Sequence, residues 1–516
     1  MLLVVLLCLL PLLACASAPP TCAAGSCSPS DLALSKLRAS VAAWDDGFGA
    51  WPQLSPSARI EAVESLLADL QARRAELAKA LMEDIHKNCE DAEAEVDRTL
   101  EFCRLAIEEV RSGWGTSPAT DLYPGLLSHA RRAGLGVVLV LGPSNYPLNE
   151  AYAMLIPAIL TGNTAVFKVP AVGELVHGLT YDLFERHLPP GTVSFVRGGG
   201  RETCPPMMAS GLLAGLGFIG SAQAADALIA AHPRPHRLKV FSQLEAKNVG
   251  LAHRSLFEAG SEELLERAVG SLVAGALSYN GQRCTAIKQI FVPREHAAAF
   301  LELFAAAVSA LRAGPADANA AGRGEVSQIT PLPRAKDVAR MRALIDDAVA
   351  AGAAVVNERG GEVLPDASGT LLAPAVLFPV AEGMRLWREE QFGPVVSVAP
   401  YDDLGEVERY VKGSEYAQQI SLFASSSPAA SADVVSLVDK FHAVLGKINL
   451  NAPPGRSPDT MPFSGRRSSA MGTMSVLHAL EAFTVETVVV AGKGEGKEAD
   501  GELFGRVMEE STFASK

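Results

Sequence analysis

Basic residues are in short supply in this sequence. Its 45 lysines and arginines are outnumbered by 58 aspartates and glutamates, which gives a formal net charge of -13. Nucleic acids and anionic membranes attract basic surfaces, so this balance argues against both as partners of the mature chain. Any anionic ligand must instead meet a local positive pocket.

Cysteine is also scarce, with eight residues, and half of these lie within the first 27 positions. The others are Cys89, Cys103, Cys204 and Cys284. They form no cluster with metal-ligand spacing, so the sequence predicts neither a disulfide scaffold nor a metal site.

Long apolar runs are confined to the first 18 residues, MLLVVLLCLLPLLACASA. The run ends in small residues and is typical of a signal or targeting segment cleaved after Ala18 or Ala16, not of a membrane span. We expect 19–40 to be a leader or linker. This stretch resembles the second half of the bipartite plastid leaders of some algae, and a plain secreted protein fits equally well. Residues 12–15 also resemble a bacterial lipoprotein signal, a less favoured alternative.

The remaining pattern is helical from about residue 31 to 111 and then alternates apolar strands with helices. Such alternation predicts an α/β fold with a parallel sheet covered on both faces, whose ligands bind beyond the carboxyl ends of the strands. The predicted strands are 136–141, 164–168, 193–196, 216–219 and 238–244, and the predicted helices include 149–160, 174–187, 222–231, 261–276 and 334–351.

From this pattern we predict two main domains and no internal repeat. Residues 41–118 and 134–242 should form a dinucleotide-binding domain, and 243–456 a catalytic domain. The strands at 119–133 and 483–491 are candidates for oligomerisation, with an ordinary edge strand as the alternative for the second. The charged, glycine-rich segment 492–516 is predicted to be a mobile tail.

The segment 278–285, SYNGQRCT, places the thiol of Cys284 beside the fixed charge of Arg283, which would favour the nucleophilic thiolate. The segment resembles the nucleophile motif of the aldehyde dehydrogenases, particularly the non-phosphorylating glyceraldehyde-3-phosphate branch. Further signatures extend the resemblance from about residue 134 to 490. It implies the Rossmann-type fold of that family.

The segment 142–149, GPSNYPLN, resembles the family segment whose Asn supports the oxyanion. The resemblance gives that role to Asn145. Its amide and the N–H of Cys284 would each contribute roughly 3 kcal/mol to stabilising the adduct.

Two segments resemble those that bind the adenosine half of a dinucleotide cofactor. In 162–168, GNTAVFK, the resemblance assigns Lys168 to the adenosine ribose and its phosphate. Ala171 stands where NAD-preferring relatives often carry a Glu, which favours NADP over NAD. In 218–221, FIGS, Ser221 and the following helix N-terminus would face the pyrophosphate.

The segment 389–394, EEQFGP, resembles the family segment that binds the nicotinamide half of the cofactor. The resemblance implies that Glu390 binds the ribose and that Phe392 packs beside the ring. Ser144 joins this set of cofactor residues.

Three arginines are candidates for a substrate phosphate, which guanidinium forks recognise well. Arg283 and Arg456 match positions that hold the phosphate in the branch. Arg111, in EEVR, is a third candidate, and an ordinary solvated helix residue is the equal alternative.

The base that hydrolyses the thioester departs from the family pattern, because 242–248 is SQLEAKN and places Gln243 at the position of the catalytic Glu. Gln accepts no proton at neutral pH. In an extended segment Glu245 would share a face with Gln243, about 7 Å along the chain. Glu245 is therefore a candidate base, with Glu390 as a second substitute.

The resemblance implies NADP-dependent oxidation of glyceraldehyde 3-phosphate to 3-phosphoglycerate, without phosphorylation, by a homodimer or homotetramer. Two alternatives stay open: a dehydrogenase for another aldehyde or semialdehyde, and a nucleotide-binding scaffold or sensor that has lost hydrolysis.

Overall fold

The computed structural model describes residues 28–120, 124–317 and 325–514, so the predicted signal segment 1–18 lies outside the described residues. Four helices come first, as the helical pattern predicted: α1 (Pro29–Trp44), α2 (Pro56–Ala72), α3 (Arg74–Ile85) and α4 (Cys89–Arg111).

The prediction of a leader or linker at 19–40 is wrong from Pro29 onward, where the chain forms helix α1. Ser28 caps the helix by accepting the N–H of Asp31, and Ala33 and Leu37 are completely buried in the first domain. From Pro29 onward the segment is therefore part of the folded core. An alanine- and serine-rich composition did not reveal that one face of the helix is apolar.

The first sheet follows the predicted alternation. Its elements, with a preceding hairpin, are β1 (Thr116–Thr120), β2 (Leu126–Gly134), β3 (Val137–Leu141), α5 (Pro147–Leu160), β4 (Thr164–Lys168), α6 (Glu174–Gly178), α7 (Tyr181–His187), β5 (Val193–Val196), α8 (Gly200–Ala209), β6 (Gly215–Ile219), α9 (Ala222–Ala231) and β7 (Lys239–Gln243). Strands β7, β6, β3, β4 and β5 are parallel neighbours in that order. The helix predicted at 174–187 is two short helices, and α8 was not predicted.

The second sheet has seven strands in the order β10-β11-β12-β9-β8-β14-β15 and lies within the predicted catalytic domain. The elements of this part of the chain are β8 (Asn248–Ala252), α10 (Glu262–Leu277), β9 (Ile287–Pro293), α11 (Ala297–Ser309), α12 (Ala335–Ala350), β10 (Ala354–Val355), β11 (Ala375–Phe378), α13 (Arg385–Arg388), β12 (Val395–Tyr401), α14 (Leu404–Gly413), β13 (Tyr416–Ala417), β14 (Gln419–Phe423), α15 (Pro428–Phe441) and β15 (Lys447–Leu450). Of these, β13 belongs to a separate two-stranded sheet. All strand pairs of the seven-stranded sheet except β10–β11 are parallel.

The last elements return to the first domain. They are β16 (Phe463–Ser464), β17 (Arg466–Arg467), β18 (Ala470–Met471), β19 (Thr473–Met474), α16 (Val476–Ala482), β20 (Thr484–Gly492) and α17 (Glu498–Glu510). Strand β18 adds antiparallel to β7, while β20 pairs with β2 over nine residues in a sheet ordered β1-β2-β20. The strand predicted at 483–491 thus has a partner within its own chain, and it forms the edge of that sheet.

The prediction of a mobile tail at 492–516 is wrong for the described part of that segment. Helix α17 packs against β20 and buries Phe504. Arg131 on β2 also donates to the carbonyl of Phe513 at 2.6 Å. Glycine and charge dominate the composition, but the sheet supplies an apolar surface for one helix face.

Across the described ranges, no helix is both long and apolar enough to cross a membrane, and His, Cys, Asp and Glu form no group of three or more suited to a metal ion.

Candidate active site

Cys284 lies in the turn between α10 and β9, which has an unusual backbone. Asn280 and Gly281 are left-handed, with φ of 57° and 68°. The Asn280 amide donates to Thr330 Oγ1 at 3.0 Å, and its oxygen accepts the N–H of Thr330 at 2.8 Å. A Cβ on Gly281 would lie 2.7 Å from the carbonyl oxygen of Gly393, so only glycine fits there. The turn therefore holds Cys284 against the loop that contains Gly393.

Two cavities open on either side of Cys284. The larger, of about 430 Å³, lies beyond the carboxyl ends of β3, β6 and β7, and the smaller has a volume of about 280 Å³. Both are lined by Pro143, Asn145, Ile219 and Cys284. One ligand can thus approach the thiol from each side, which is the arrangement that a reaction between two bound molecules requires.

The thiol itself is not activated in the way the sequence predicted. Burial, together with the carboxylates of Glu150 and Glu390, raises the pKa of Cys284 to about 12. Arg283 instead donates to the carbonyls of Ala274 and Gly275, at 3.3 and 3.1 Å, at the end of α10. The predicted activation of the thiol by the adjacent guanidinium is not observed, because burial and two negative charges raise the pKa of Cys284.

Asn145 lies in the loop between β3 and α5, as the oxyanion role requires. Its Nδ2 donates to the carbonyl oxygen of Gln282 at 2.8 Å, two residues before Cys284. This bond ties the loop to the nucleophile turn. The structure therefore brings Asn145 and Cys284 together, with a side-chain amide close to where an adduct would develop its negative oxygen.

A buried ion pair, which the sequence analysis missed, supports this loop. Lys87 Nζ lies 2.5 Å from Glu95 Oε2, and neither side chain is exposed. Glu95 Oε1 accepts the N–H groups of Leu148 and Asn149, at 3.0 and 3.1 Å, in the first turn of α5. Lys87 Nζ also lies 3.3 Å from the centre of the Tyr146 ring. In sequence, nothing distinguishes these two charges from solvated ones.

Most of the predicted cofactor residues line the larger cavity: Ser144, Ser221, Glu390 and Phe392. Ser221 also caps α9 by accepting the N–H of Ala224 at 3.3 Å. Lys168 lines neither cavity. It is buried at the end of β4, where Nζ donates to the carbonyl of Val169 at 2.5 Å and burial lowers the pKa of the ammonium.

Glu245, the first candidate base, also lines the larger cavity, but its carboxylate is engaged elsewhere. Oε2 accepts the N–H of Ala222 at 3.0 Å, at the N-terminus of α9. The partial positive charge of a helix N-terminus stabilises an anion there. A carboxylate thus occupies the helix end that the sequence assigned to a cofactor pyrophosphate.

Glu390, the second candidate, is 7% exposed. Burial raises the pKa of its carboxyl to about 7, although the ammonium of Lys288 acts in the opposite direction. A carboxyl with this pKa can both accept and release a proton near neutrality.

The smaller cavity is lined by three arginines, but not the three predicted. Arg283 and Arg456 line it, and the third is Arg98. Arg111 instead pairs with Glu64 at 2.7 Å in a separate surface groove between α2 and α4. Arg111 is therefore not part of this site, and Arg98, from the same helix, was missed because one helical arginine resembles another in sequence.

Two carboxylates partly neutralise these arginines. Arg98 donates to both oxygens of Asp459, at 3.0 and 2.8 Å, and Arg456 donates to Asp459 at 3.1 Å. Arg456 also pairs with Glu150. The buried Nε of Arg283 has no hydrogen-bond partner among the described residues. One positive charge and at least one donor are thus left for an anionic ligand.

Gln243 ends β7 and lines the smaller cavity, where it is 3% exposed. Within the described ranges, neither its amide nitrogen nor its oxygen has a hydrogen-bond partner. The position that carries a carboxylate in the resembled family therefore offers a donor and an acceptor here, but no proton acceptor of useful strength.

The sequence is similar to known proteins along most of its length. A model described as "Aldehyde dehydrogenase family" matches residues 22–489. An NADP-dependent glyceraldehyde-3-phosphate dehydrogenase of Streptococcus equinus is 30% identical, covering 84% of this chain and 86% of its own length. A 3-sulfolactaldehyde dehydrogenase of Priestia aryabhattai is 25% identical, over 84% and 86% respectively.

Among solved structures, the NADP complex of the NADP-dependent glyceraldehyde-3-phosphate dehydrogenase from Bacillus halodurans C-125 is similar. It is 26% identical, with a TM-score of 0.78, and the match covers 90% of this chain and 92% of that one.

Proposed function

The chain belongs to the aldehyde dehydrogenase family, and from this premise we propose that it oxidises glyceraldehyde 3-phosphate with NADP through a thioester on Cys284. The observation that carries the proposal is the position of Cys284 and Asn145 on the wall shared by two cavities. The larger cavity would take the cofactor, and the smaller, arginine-lined cavity the substrate.

The proposed chemistry starts when the Cys284 thiol gives its proton to solvent and the thiolate attacks the aldehyde carbon. The amide of Asn145 and the N–H of Cys284 donate to the developing oxyanion. Bound NADP supplies the hydride acceptor, so oxidation leaves a thioester. Water then releases 3-phosphoglycerate and no acyl phosphate forms.

The residues of the larger cavity fit a dinucleotide phosphate. The N-terminus of α9 already binds a carboxylate, that of Glu245, which shows that an oxyanion is accommodated there. Ser221 would lie beside the pyrophosphate, and Glu390 and Phe392 beside the nicotinamide ribose and ring. The preference for NADP is supported by the named relatives and by Ala171.

We predict that Glu245→Gln tightens NADP binding by about 5- to 30-fold. A cofactor phosphate at the α9 N-terminus must displace or approach the Glu245 carboxylate, and removing one like charge in a partly buried site is worth about 1–2 kcal/mol. The dissociation constant is measured by titration calorimetry without substrate. Glu389→Gln, which alters a half-exposed carboxylate paired with Arg385, should leave the affinity unchanged. Weaker binding by Glu245→Gln would show that the carboxylate assists the cofactor instead.

Substrate choice is proposed from the three arginines of the smaller cavity. A phosphate and a sulfonate are both tetrahedral oxyanions that guanidinium groups bind well. The similarity to a 3-sulfolactaldehyde dehydrogenase therefore supports a second candidate, a small aldehyde with a sulfonate.

Arg98→Gln should raise the KM for glyceraldehyde 3-phosphate by about 10- to 100-fold, since a charge-assisted hydrogen bond is worth about 1.5–3 kcal/mol. The KM for uncharged glyceraldehyde should change little. Arg111→Gln is the matched control from the same helix and should match the wild type with both substrates. Equal losses on both aldehydes would remove Arg98 from phosphate recognition.

The test of the proposed function is rapid mixing of the protein with glyceraldehyde 3-phosphate and NADP, without inorganic phosphate. We expect a burst of NADPH, one per subunit, followed by steady turnover. No burst with this substrate but a burst with 3-sulfolactaldehyde would favour the sulfonate, and no burst with either would refute oxidation of such aldehydes. A single burst without turnover would favour the scaffold or sensor alternative.

We also propose that the chain forms a homodimer or homotetramer. Strand β20 is an edge strand on which Val485, Val488 and Val490 are each about half exposed. An apolar strand edge of this kind is a natural contact for a second copy. Light scattering of the purified protein measures the subunit count directly.

A further inference from the structure

The proposed reaction needs a base for hydrolysis of the thioester, and Gln243 has no carboxylate to supply it. Four other carboxylates line a cavity together with Cys284: those of Glu150, Glu245, Asp337 and Glu390. A hydrolytic base must be free to take a proton from water next to the thioester. The surroundings of the four carboxylates differ in this respect.

Three of the four are engaged by other groups of the protein. Asp337 accepts two hydrogen bonds from Arg334, both at 2.8 Å. Glu150 forms an ion pair with Arg456. Glu245 Oε2 accepts the N–H of Ala222 at 3.0 Å, at the positive end of α9. These contacts hold the three carboxylates in structural roles.

Hydrogen bonds hold the main chain around Glu390 in place, whereas its carboxylate accepts a single long one. Three consecutive carbonyls, those of Glu389, Glu390 and Gln391, each accept a hydrogen bond from a different cationic side chain at 2.7 Å. The donors are Lys247, Arg340 and Lys288, in that order. This three-cation clamp fixes the main chain of Glu390 beside the nucleophile turn, since Lys288 also donates to Gly281 at 2.8 Å.

Glu390 and the nucleophile line the same cavity. The charge of Glu390 also acts on the pKa of the Cys284 thiol. Its one hydrogen bond within the described ranges is a long one, 3.3 Å from the N–H of Ala246. The titratable and charged groups that act on it are Lys247, Lys288, Arg340, Glu245, Cys284 and Tyr416. Among the four carboxylates, only this one combines a fixed main chain with a weakly bound, buried acid group.

We propose that Glu390 is the general base that hydrolyses the thioester, in place of the carboxylate that position 243 lacks. The inference rests on the proposed function. Water gives a proton to Glu390 while its oxygen attacks the thioester carbon. The carbon–sulfur bond breaks, the sulfur leaves as the Cys284 thiolate, and the acid is released. The proton then passes from Glu390 to solvent or to the thiolate.

Because Glu390 lines the larger cavity, hydrolysis through it depends on whether that cavity is occupied. Glu390 lines only the larger cavity, whereas Gln243 lines only the smaller one. Water reaches Glu390 and the thioester together only when the part of the larger cavity next to Cys284 is vacant. Hydrolysis through Glu390 is therefore blocked while that space is filled, and hydrolysis through a carboxylate at position 243 is not.

The experiment follows the NADPH burst, steady turnover and the acyl adduct on Cys284, the last by intact mass spectrometry after quenching. At an NADP concentration that saturates each variant, Glu390→Gln should keep a burst of about one per subunit but lose on the order of 100-fold or more in steady turnover, with a persistent adduct. The rise of the wild-type hydrolysis rate with pH, through the pKa of Glu390, should disappear. Glu382→Gln is the control, since its carboxylate is exposed, pairs with Arg388 and lines neither cavity, and it should match the wild type.

A second pair of variants tests the timing. In Glu390→Gln carrying Gln243→Glu, turnover should return, and added NADPH should no longer slow loss of the adduct as it does in the wild type. The inference is overturned if Glu390→Gln turns over like the wild type, if it loses the burst as well, or if Glu245→Gln is the variant that stops after one burst. A wild type that stops after its burst would overturn it too, while leaving the acylation half of the proposed function intact. No wild-type burst would refute the proposed function itself.

Discussion

Cys284→Ala is expected to abolish the burst of NADPH and to lower kcat by on the order of 10⁴-fold or more, because no thioester can form without the nucleophile. The other described cysteines cannot substitute. Cys103 and Cys204 are buried in hydrophobic cores, where burial raises the pKa of each thiol, and Cys89 lies at the start of α4. The burst, the adduct and unfolding by urea should be measured on the same sample.

The control for this prediction is Cys89→Ala, which removes a partly exposed thiol outside both cavities. It should retain the full burst. An adduct that survives in Cys284→Ala, mapped by peptide mass spectrometry to another cysteine, would contradict the assignment of the nucleophile.

The second large effect concerns stability. Glu95→Ala should lower the free energy of unfolding by about 3–5 kcal/mol, because it leaves the ammonium of Lys87 buried and unpaired. It also removes the acceptor for two N–H groups of α5, so hydrogen exchange should rise first at Leu148 and Asn149. Urea unfolding and exchange measured by mass spectrometry check both parts.

The matched control is the exposed ion pair between Arg74 and Asp97, at 2.6 Å. Its N···O distance is nearly that of the buried pair, but its side chains reach solvent and Arg74 also pairs with Glu93. Asp97→Ala should cost less than about 1 kcal/mol, and Lys87→Met combined with Glu95→Leu should cost less than Glu95→Ala alone. Similar losses in Glu95→Ala and Asp97→Ala would mean that burial does not determine the energy of the pair.

The sequence predicted those strands and helices whose local apolar pattern matches the side chains that are buried in the fold. Strands 164–168 and 193–196 coincide with β4 and β5 because buried parallel strands are continuously apolar and end at turn residues. The proximity of Cys284 and Asn145 was predicted from two motifs, although the residues are 139 positions apart, because each motif also indicates its place at a strand or helix end.

The substrate arginines were harder to predict because the answer depends on helix rotation. Arg98 and Arg111 lie thirteen residues apart on α4, so at about 100° per residue they point in directions roughly 140° apart. Only the packing of α4 determines which direction faces the cavity. The same holds for the thiol of Cys284, whose pKa depends on carboxylates that are distant in sequence.

The two cavities that meet at Cys284 also determine how a complex can assemble. They share only four lining residues, so a ligand in one cavity covers little of the wall of the other. We therefore expect aldehyde and cofactor to bind in either order, and an inhibitor that fills one cavity to leave the other accessible. Initial-rate kinetics should then fit a random-order mechanism, in which an inhibitor of one cavity is noncompetitive with the ligand of the other.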